Sequence, residues 1–438
     1  MIRKQAREQA LSPIHPTAER PLSARQRFFS RVVTSRLDGL LGGRVTVFDP
    51  GGARSFGSLD PSAPLHATVT VHDPDFYVMA ATRGTIGVAE AYMDGLWDCD
   101  DLTALIRMMA RDWDTAGSFD AGLARWARPF LRAFALAHRN TRRASRANIA
   151  AHYDLGNEFF AQFLDETMTY SSAVFENPSS TLKEAQEVKY DRICRKLDIG
   201  PRDRVLEIGT GWGGFAVHAA SRYGCRVTTT TISAEQFTFA AARVREAGLE
   251  DRIELLSRDY RDLEGFYDKI VSIEMIEAVG HEYMHDYLGV CGRRLEPGGA
   301  CLIQAIVLPD QAFEASKTSV DFIKRYIFPG GSLPSVSSIC DAARTATDFR
   351  LEHLEDITSH YATTLAHWRR RMHDNLDSIR ALGYPERFLR MWEFYLCYCE
   401  GGFSERSVNT VQMLFERQGS RRPSPTGRLE GAVTGGLS

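Results

Sequence analysis

The stretch from Arg204 to Glu235 constrains the fold of this chain more than any other. It reads RVLEIGTGWGGFAVHAASRYGCRVTTTTISAE, in which a short apolar run precedes four closely spaced glycines and then helically spaced apolar residues. This order predicts a buried strand, a tight glycine turn and a helix. Glycine allows the backbone to turn sharply beside a ligand, and a helix N-terminus presents free N–H groups. The glycines that match G-x-G-x-x-G are Gly209, Gly211 and Gly214.

The end of the next predicted strand, residues 226–230, separates two classes of nucleotide ligand. A dinucleotide site needs Asp or Glu at this point to bind the ribose. This chain has Thr229, Thr230 and Thr231 instead. The sequence therefore disfavours NAD and favours a different adenosyl ligand.

Strand and helix patterns alternate from there to Val307. Strands are predicted at 253–257, 269–273 and 300–307, and helices at 235–247 and 285–295. This alternation predicts an α/β fold with a doubly wound, parallel Rossmann-like sheet, whose ligand lies beyond the carboxyl ends of the strands. A helix at 315–326 and two later aromatic-rich helices are predicted to cap the sheet over an apolar substrate, with plain core packing as the alternative.

Composition excludes some classes of protein. The chain has 438 residues, 44% of them apolar, and a net charge of −3, so it gives no overall field for nucleic acid, and no nucleic-acid partner is expected. No apolar run approaches 18 residues and no secretory pattern begins the chain, so we expect a cytoplasmic protein, peripheral on the inner face of the cell membrane. Eight cysteines without a C-x-x-C pair predict free thiols and no metal site.

The pattern divides the chain into five parts. We predict a flexible lead (1–24), a smaller amino-terminal α+β domain (25–120), a basic segment (121–147), a catalytic domain (148–416) and a disordered tail (417–438). Residues 125–146 carry seven arginines and no acid, interleaved with apolar residues, which suits an anionic membrane surface. A solvated linker helix is the alternative.

Seven motifs, in one order, resemble the S-adenosylmethionine (SAM)-dependent cyclopropane-fatty-acyl-phospholipid synthases, relatives of the mycolic acid cyclopropane synthases and methyltransferases. They read AHYDLGNEFFAQFLDETMTYSSAVF, VLEIGTGWGGFA, TTTISAEQ, SRDYRDL, SIEMIEAVGHEY, VDFIKRYIFPGGSLPSV and HYATTLAHW. The amino-terminal domain resembles the lipid-associated domain of the bacterial phospholipid enzymes. The resemblance implies methyl(ene) transfer from SAM to the cis double bond of an unsaturated phospholipid acyl chain, forming a cyclopropane. The separate amino-terminal domain is consistent with a homodimer.

The resemblance also implies a set of site residues. In the family, a bound bicarbonate is thought to act as the base. Here the residues that match its contacts are Glu277, Tyr361 and the backbone amide of Ile306, with Ser172 and Gln304 where the best-known members have Cys and His. The residues that match the cofactor contacts are Tyr170, Ser171, Gly209, Gly211, Gly213, Thr231, Ile232, Gln236, Asp259 and Tyr260.

The two departures affect the proton-removal step, and therefore the product. Both Ser172 and Gln304 can still donate a hydrogen bond to an anion. The same carbocation, on losing a different proton or gaining hydride, gives a methyl-branched or methylated unsaturated chain instead of a ring. Two other readings stay open: a methyltransferase for a small non-lipid molecule, and a lipid-binding protein without catalysis.

Overall fold

Two β-sheets organise the protein in the computed structural model, which describes residues 21–58 (without 39 and 41), 65–111 and 155–422. The basic segment, most of the predicted flexible lead and most of the predicted disordered tail lie outside the described residues. The domain boundaries that fall there stay predictions.

The smaller sheet belongs to the amino-terminal part of the chain. Its elements are α1 Ala24–Thr34, β1 Gly43–Asp49, β2 Gly52–Ser58, β3 Leu65–Val71, α2 Asp75–Met93, β4 Trp97–Cys99 and α3 Leu102–Arg111. The strand order is β2-β1-β3-β4, with β1 and β3 parallel. Burial alternates along β1 and β3, so Val45, Val47 and Val69 face the core. Strand β2, GARSFGS, lacks the apolar alternation that indicates a half-buried strand in a sequence.

The larger sheet has helices on both faces. Its strands are β5 Arg204–Ile208, β6 Arg226–Thr230, β7 Ile253–Leu256, β8 Tyr267–Ile273, β9 Leu295–Val307, β10 Arg350–Asp356 and β11 Asn409–Glu416. The helices are α4 Asn157–Ala161, α5 Leu182–Leu197, α6 Gly214–Tyr223, α7 Ala234–Glu246, α8 Met284–Arg294, α9 Asp310–Ser316, α10 Val336–Ala346, α11 Thr358–Asp374, α12 Leu376–Ala381 and α13 Glu386–Ser404. The strand order is β10-β11-β9-β8-β5-β6-β7.

Adjacent residues of the central strands pack on opposite faces. Val205 of β5 joins a core with α5 and α6, whereas Leu206 joins a core with α8 and α10. Strands β9, β8, β5, β6 and β7 are parallel, which confirms the predicted α/β class. The sheet is mixed rather than fully parallel, because β11 lies antiparallel between β9 and β10.

Two local predictions were wrong. The predicted helix at 315–326 is instead α9, which ends at Ser316, and a π-helical turn at Ile323–Ile327. The interruption fits local competition for the backbone, since Ser319 and Asp321 make side-chain hydrogen bonds to the backbone there. The predicted tail also begins too early: Arg417 forms an ion pair with Asp348 at 2.9 Å and is held to the sheet.

The helical cap joins the two sheets. Helix α13 packs against α11 on one side and against α2 and α3 on the other. Its Arg390 is fully buried, donates to the carbonyls of Tyr92 and Trp97, and pairs with Asp98 at 2.6 Å. A Cβ at Gly401 would lie 2.6 Å from a side-chain carbon of Ile106. The amino-terminal sheet is therefore packed closely onto the cap.

Candidate active site

The glycine turn after β5 opens onto a cavity. Gly209, Gly211 and Gly213 all have positive φ, at 103°, 52° and 84°. A side chain at any of them would be strained. A Cβ at Gly211 would meet nothing within 4 Å, so the turn leaves open space beside the backbone. Helix α6 begins immediately afterwards and directs its free N–H groups to the same end of the sheet.

This cavity has a volume of about 1230 Å³. It is lined by nine of the ten predicted cofactor residues: Tyr170, Ser171, Gly209, Gly211, Thr231, Ile232, Gln236, Asp259 and Tyr260. Gly213 lies behind the turn, where a Cβ would be 3.3 Å from Ala240. The tertiary structure thus brings together the three loops that follow β5, β6 and β7 at the carboxyl ends of the strands, as the doubly wound fold predicts, and adds Tyr170 and Ser171 from the segment before α5.

The predicted ribose and adenine sides are held by their own hydrogen bonds. The Thr231 hydroxyl donates to Oε1 of Gln236 at 3.0 Å, which turns the amide N–H groups of Gln236 away from Thr231. Asp259 accepts two bonds from the Arg261 guanidinium, at 2.8 and 2.6 Å. The ring of Tyr260 packs edge-on against Tyr287, with centroids 5.2 Å apart. The polar groups and the open glycine turn fit an adenosyl ligand with a positively charged end.

Sequence reasoning missed a buried carboxyl group at the foot of the glycine turn. Glu207 is one of the residues that line the cavity. It is 3% exposed and accepts a hydrogen bond from the Thr229 hydroxyl at 2.6 Å. Burial raises the pKa of Glu207 to about 8. A cation bound in the cavity favours its ionised form.

Three of the five residues predicted to hold bicarbonate converge instead on a residue that the sequence reasoning did not select. Oε1 of Glu274 accepts hydrogen bonds from the backbone N–H of Ser172 at 2.9 Å and from Nε2 of Gln304 at 2.8 Å. Oε2 of Glu274 accepts one from the Tyr361 hydroxyl at 2.8 Å. The Ser172 hydroxyl donates to the carbonyl of Ala173 at 3.1 Å.

The donors present therefore do not fit a separate bicarbonate ion. Glu274 follows β8 with a φ of 49°, in the left-handed region that is uncommon for residues other than glycine. With this backbone conformation, the Glu274 carboxylate is within hydrogen-bond distance of the donors of Ser172, Gln304 and Tyr361. A protein carboxylate thus occupies the place that the family resemblance assigns to a bound anion.

Glu277 lies one turn further on and is bonded differently. Its Oε1 accepts the backbone N–H of Ile306 at 2.5 Å, and its Oε2 is buried without a hydrogen-bond partner in the described part of the protein. Burial, and then the charge of Glu274, raise the pKa of Glu277 to about 8. Glu277 is therefore protonated at neutral pH.

A buried lysine lies near Glu274. Lys189 of α5 is fully buried, and its Nζ donates to the Ser171 hydroxyl at 2.7 Å. Burial raises the pKa of Glu274, but the charge of Lys189 and the hydrogen bonds from Ser172, Gln304 and Tyr361 all oppose this effect. The charge of Lys189 and the three donors therefore favour the ionised form of Glu274, whereas Glu277 accepts a hydrogen bond from one other residue of the described part of the protein, Ile306.

The rest of the cavity is apolar and aromatic. It is bordered by Phe328, Tyr395 and Phe403 of the cap region and continues to Val45 and Trp97 in the interior of the smaller sheet. The Tyr170 and Tyr395 hydroxyls bond each other at 2.8 Å, so their polar ends are satisfied within this apolar wall. The chamber is suited to a long apolar chain.

Two kinds of feature are absent from the described residues: a membrane-spanning helix and a cluster of metal ligands. In that part of the chain, no helix is both long and apolar enough to cross a membrane. The same residues contain no group of three or more metal-ligating side chains. All eight cysteines are described, and they are free thiols.

Comparison with known proteins gives consistent matches. Residues 140–413 match the family model described as mycolic acid cyclopropane synthetase. The chain is 40% identical over 375 residues to the tuberculostearic acid methyltransferase of Mycobacterium tuberculosis, covering 83% of this chain and 86% of that protein. It is 37% identical over 363 residues to the cyclopropane-fatty-acyl-phospholipid synthase of Escherichia coli, covering 82% and 90%.

Solved structures match the larger sheet and its cap. A cyclopropane synthase from Mycobacterium tuberculosis is 28% identical, with a TM-score of 0.58 over 62% of this chain and 98% of that one. A mycolic acid cyclopropane synthase complexed with SAH and CTAB is 29% identical, also with a TM-score of 0.58, over 62% of this chain and 98% of that one.

The fold, and the predicted cofactor residues that line the cavity beside the glycine turn, define a SAM-dependent methyltransferase. Within that class, the family match and the relatives are decisive. The chain belongs to the mycolic acid cyclopropane synthetase family, together with the cyclopropane-fatty-acyl-phospholipid synthases.

Proposed function

We propose that this enzyme alkylates the cis double bond of an unsaturated phospholipid acyl chain and that a carboxylate of the protein itself, Glu274, removes the proton. The single observation that carries the proposal is the convergence of Ser172, Gln304 and Tyr361 on Glu274. The residues beside the glycine turn, among them Gly209 and Gly211, would hold SAM, which would supply an electrophilic methyl carbon as its S–CH3 bond breaks and SAH leaves.

The apolar chamber supports a lipid substrate. An acyl chain lying between Phe328, Tyr395 and Phe403 would displace water from these apolar faces, and water would otherwise capture the carbocation. The faces of these rings also stabilise positive charge. The chain enters, by this proposal, from an anionic membrane surface.

Glu274 provides the base in this chamber. It lies among residues that border the cavity, and Lys189 favours its ionised form. When the transferred carbon loses a proton to Glu274, the electron pair of that C–H bond forms the third ring bond and gives a cyclopropane. Glu277, protonated at neutral pH, leaves Glu274 as the one ionised carboxylate of the pair.

A methylated, unsaturated acyl chain is the second candidate product, and it uses the same base. Like the cyclopropane, a methylene product forms when the transferred carbon loses a proton, so Glu274 can accept the proton in either reaction. If hydride first moves from the methylated carbon to its neighbour, loss of a proton from the methyl group gives a methylene product. The similarity to a protein named tuberculostearic acid methyltransferase supports the same candidate.

Mass spectrometry of phospholipids tests both candidates after expression in a host that lacks such an enzyme. The proposal expects acyl chains that gain one CH2 group. Under mild hydrogenation that reduces alkenes, a cyclopropane is unchanged and a methylene product gains H2. No modified acyl chain, with SAH formed on small non-lipid substrates instead, would refute the lipid assignment. No SAH formation with vesicles of unsaturated phospholipid would favour a lipid-binding protein without catalysis.

A further inference from the structure

Glu274 is the inner end of a hydrogen-bonded chain that crosses the larger sheet. Gln304 of β9 donates to Glu274 at 2.8 Å, and the Oε1 of Gln304 accepts from Nε2 of Gln412 in β11 at 2.9 Å. The Oε1 of Gln412 accepts from Nζ of Lys196 at 2.7 Å. Lys196, at the end of α5, also pairs with Glu355 of β10 at 2.5 Å.

The chain has one direction. Gln304 and Gln412 are fully buried and Lys196 is 8% exposed, so these groups have little access to water. A lysine ammonium only donates hydrogen bonds, whereas a glutamine amide donates at one end and accepts at the other. Lys196 therefore requires the oxygen of Gln412 on its side. The N–H of Gln412 then requires the oxygen of Gln304, which leaves an N–H of Gln304 for Glu274.

Reversing either amide has a clear cost. A reversed Gln412 places its N–H groups against Lys196, and a reversed Gln304 places its oxygen against the Glu274 carboxylate. Each leaves a buried donor or acceptor without a partner, which is unfavourable away from water. Lys196 thus determines which end of the Gln304 amide faces Glu274. It does so through Gln412, which lies between Lys196 and Gln304.

We propose that Gln412 and Lys196 are positioning residues that orient Gln304 and thereby keep Glu274 available as the proton acceptor. This inference rests on the proposed function, in which Glu274 removes the proton. Neither residue lines the cavity, and neither belongs to the set that the family resemblance indicated.

Other charged and titratable groups also face Glu274. They are Lys189 of α5, Tyr361 of α11, Tyr395 of α13, and Glu277. None of them changes when Gln412 is replaced. Loss of the Gln304 N–H raises the pKa of Glu274, because a hydrogen bond to a carboxylate favours its ionised form. By the proposed function, kcat falls at low pH because Glu274 becomes protonated. When the pKa of Glu274 rises, this fall in kcat, the acid limb of the profile, begins at a higher pH.

The test compares kcat against pH for the full-length enzyme, with SAM and vesicles of unsaturated anionic phospholipid, by SAH formation. Gln412→Leu breaks the hydrogen-bonded chain between Lys196 and Gln304. Gln412→Glu keeps an acceptor for Lys196 but removes the donor to Gln304. Arg192→Met is the matched control, since Arg192 pairs with the same Glu355 but does not touch the amides. The Kd for SAM and the unfolding midpoint show whether each variant is folded.

We expect both Gln412 variants to move the acid limb upward by about one pH unit, and to lower kcat on the acid side on the order of tenfold. The Kd for SAM of both variants should stay within about twofold of the wild-type value. A tenfold higher Kd would correspond to about 1.4 kcal/mol of lost binding free energy and would indicate a lost contact to the cofactor. Arg192→Met should keep the wild-type profile.

An unchanged acid limb in folded Gln412→Leu and Gln412→Glu, with Glu274→Gln inactive, overturns this inference and leaves the proposed function standing. Full activity in Glu274→Gln overturns both. If Gln412→Leu does not fold, Gln412→Glu decides, because it retains the buried pair with Lys196. An equal shift in Arg192→Met would assign the effect to the outer ion pair and contradict the role of the amides.

Discussion

Replacing Glu274 with glutamine tests the proposed chemistry most directly. The two side chains have the same shape, and an amide oxygen can accept the Ser172 and Gln304 N–H groups that Oε1 of Glu274 now accepts at 2.9 and 2.8 Å. The amide N–H2 group then faces the Tyr361 hydroxyl, whose oxygen can accept a bond. The substitution therefore keeps the local geometry and removes the negative charge and the basic oxygen.

The expected loss follows from the role of a general base. Removing a positioned base lowers the rate by about a hundredfold to ten thousandfold, or roughly 3–5 kcal/mol in the barrier. The charge change also removes one of the two carboxylates whose charges act on the buried Lys189, the other being Asp165. Burial already lowers the pKa of Lys189 and the charge of Glu274 opposes this, so the variant should favour neutral Lys189.

The assay is SAH formation with unsaturated phospholipid vesicles, with the Kd for SAM measured by calorimetry. We expect kcat to fall by at least about a hundredfold while SAM binds within a few-fold of wild type. The control is Glu386→Gln, at a residue that pairs with Arg380 on the surface of the cap. A kcat within a few-fold of wild type would refute the assignment of the base, and an equal loss of binding and turnover would mean that Glu274 is structural.

Three further substitutions test other parts of the site and fold. Glu277→Gln mimics the protonated acid and keeps an acceptor for Ile306, so it should retain SAM binding and activity near neutral pH, and remove any decline in kcat above about pH 8. Because ionised Glu207 favours a bound cation, the Kd for SAM should fall as pH rises from about 6 to 8, by at most about tenfold per pH unit, and calorimetry on Glu207→Gln should show no such dependence. Arg390→Met removes the donor to the carbonyls of Tyr92 and Trp97 and one partner of Asp98, which keeps its contact with His72, and should lower the free energy of unfolding in urea by about 2–4 kcal/mol; a loss below about 1 kcal/mol would contradict these contacts.

Local sequence determined the elements whose signals are local. The glycine turn, the strand at 226–230 and the alternation up to Val307 were predicted because glycine spacing and apolar periodicity act within a few residues. The cofactor residues followed from motif order, and the structure places nine of the ten on one cavity. These features depend on the backbone conformation that each segment prefers by itself.

Strands that depend on distant partners were not predicted. Strand β11, NTVQMLFE, lies between β9 and β10 and is buried along most of its length, yet it lacks a clear alternation and follows a long helix. Its pairing with β9 joins residues more than 100 positions apart, as Gln412 and Gln304 show. Tertiary contacts, rather than local preference, determine such a strand.

The sequence by itself determined that this chain carries a SAM-binding doubly wound sheet under an aromatic cap. It also contained the pair of replacements, Ser172 and Gln304, that indicated a changed base. Only the tertiary structure decided which group replaces the anion. The donors that meet Glu274 come from residues 102, 30 and 87 positions away, because the segment before α5, strand β9 and helix α11 meet at the end of β8. A carboxylate with positive φ, enclosed by three distant segments, has no signature in local sequence.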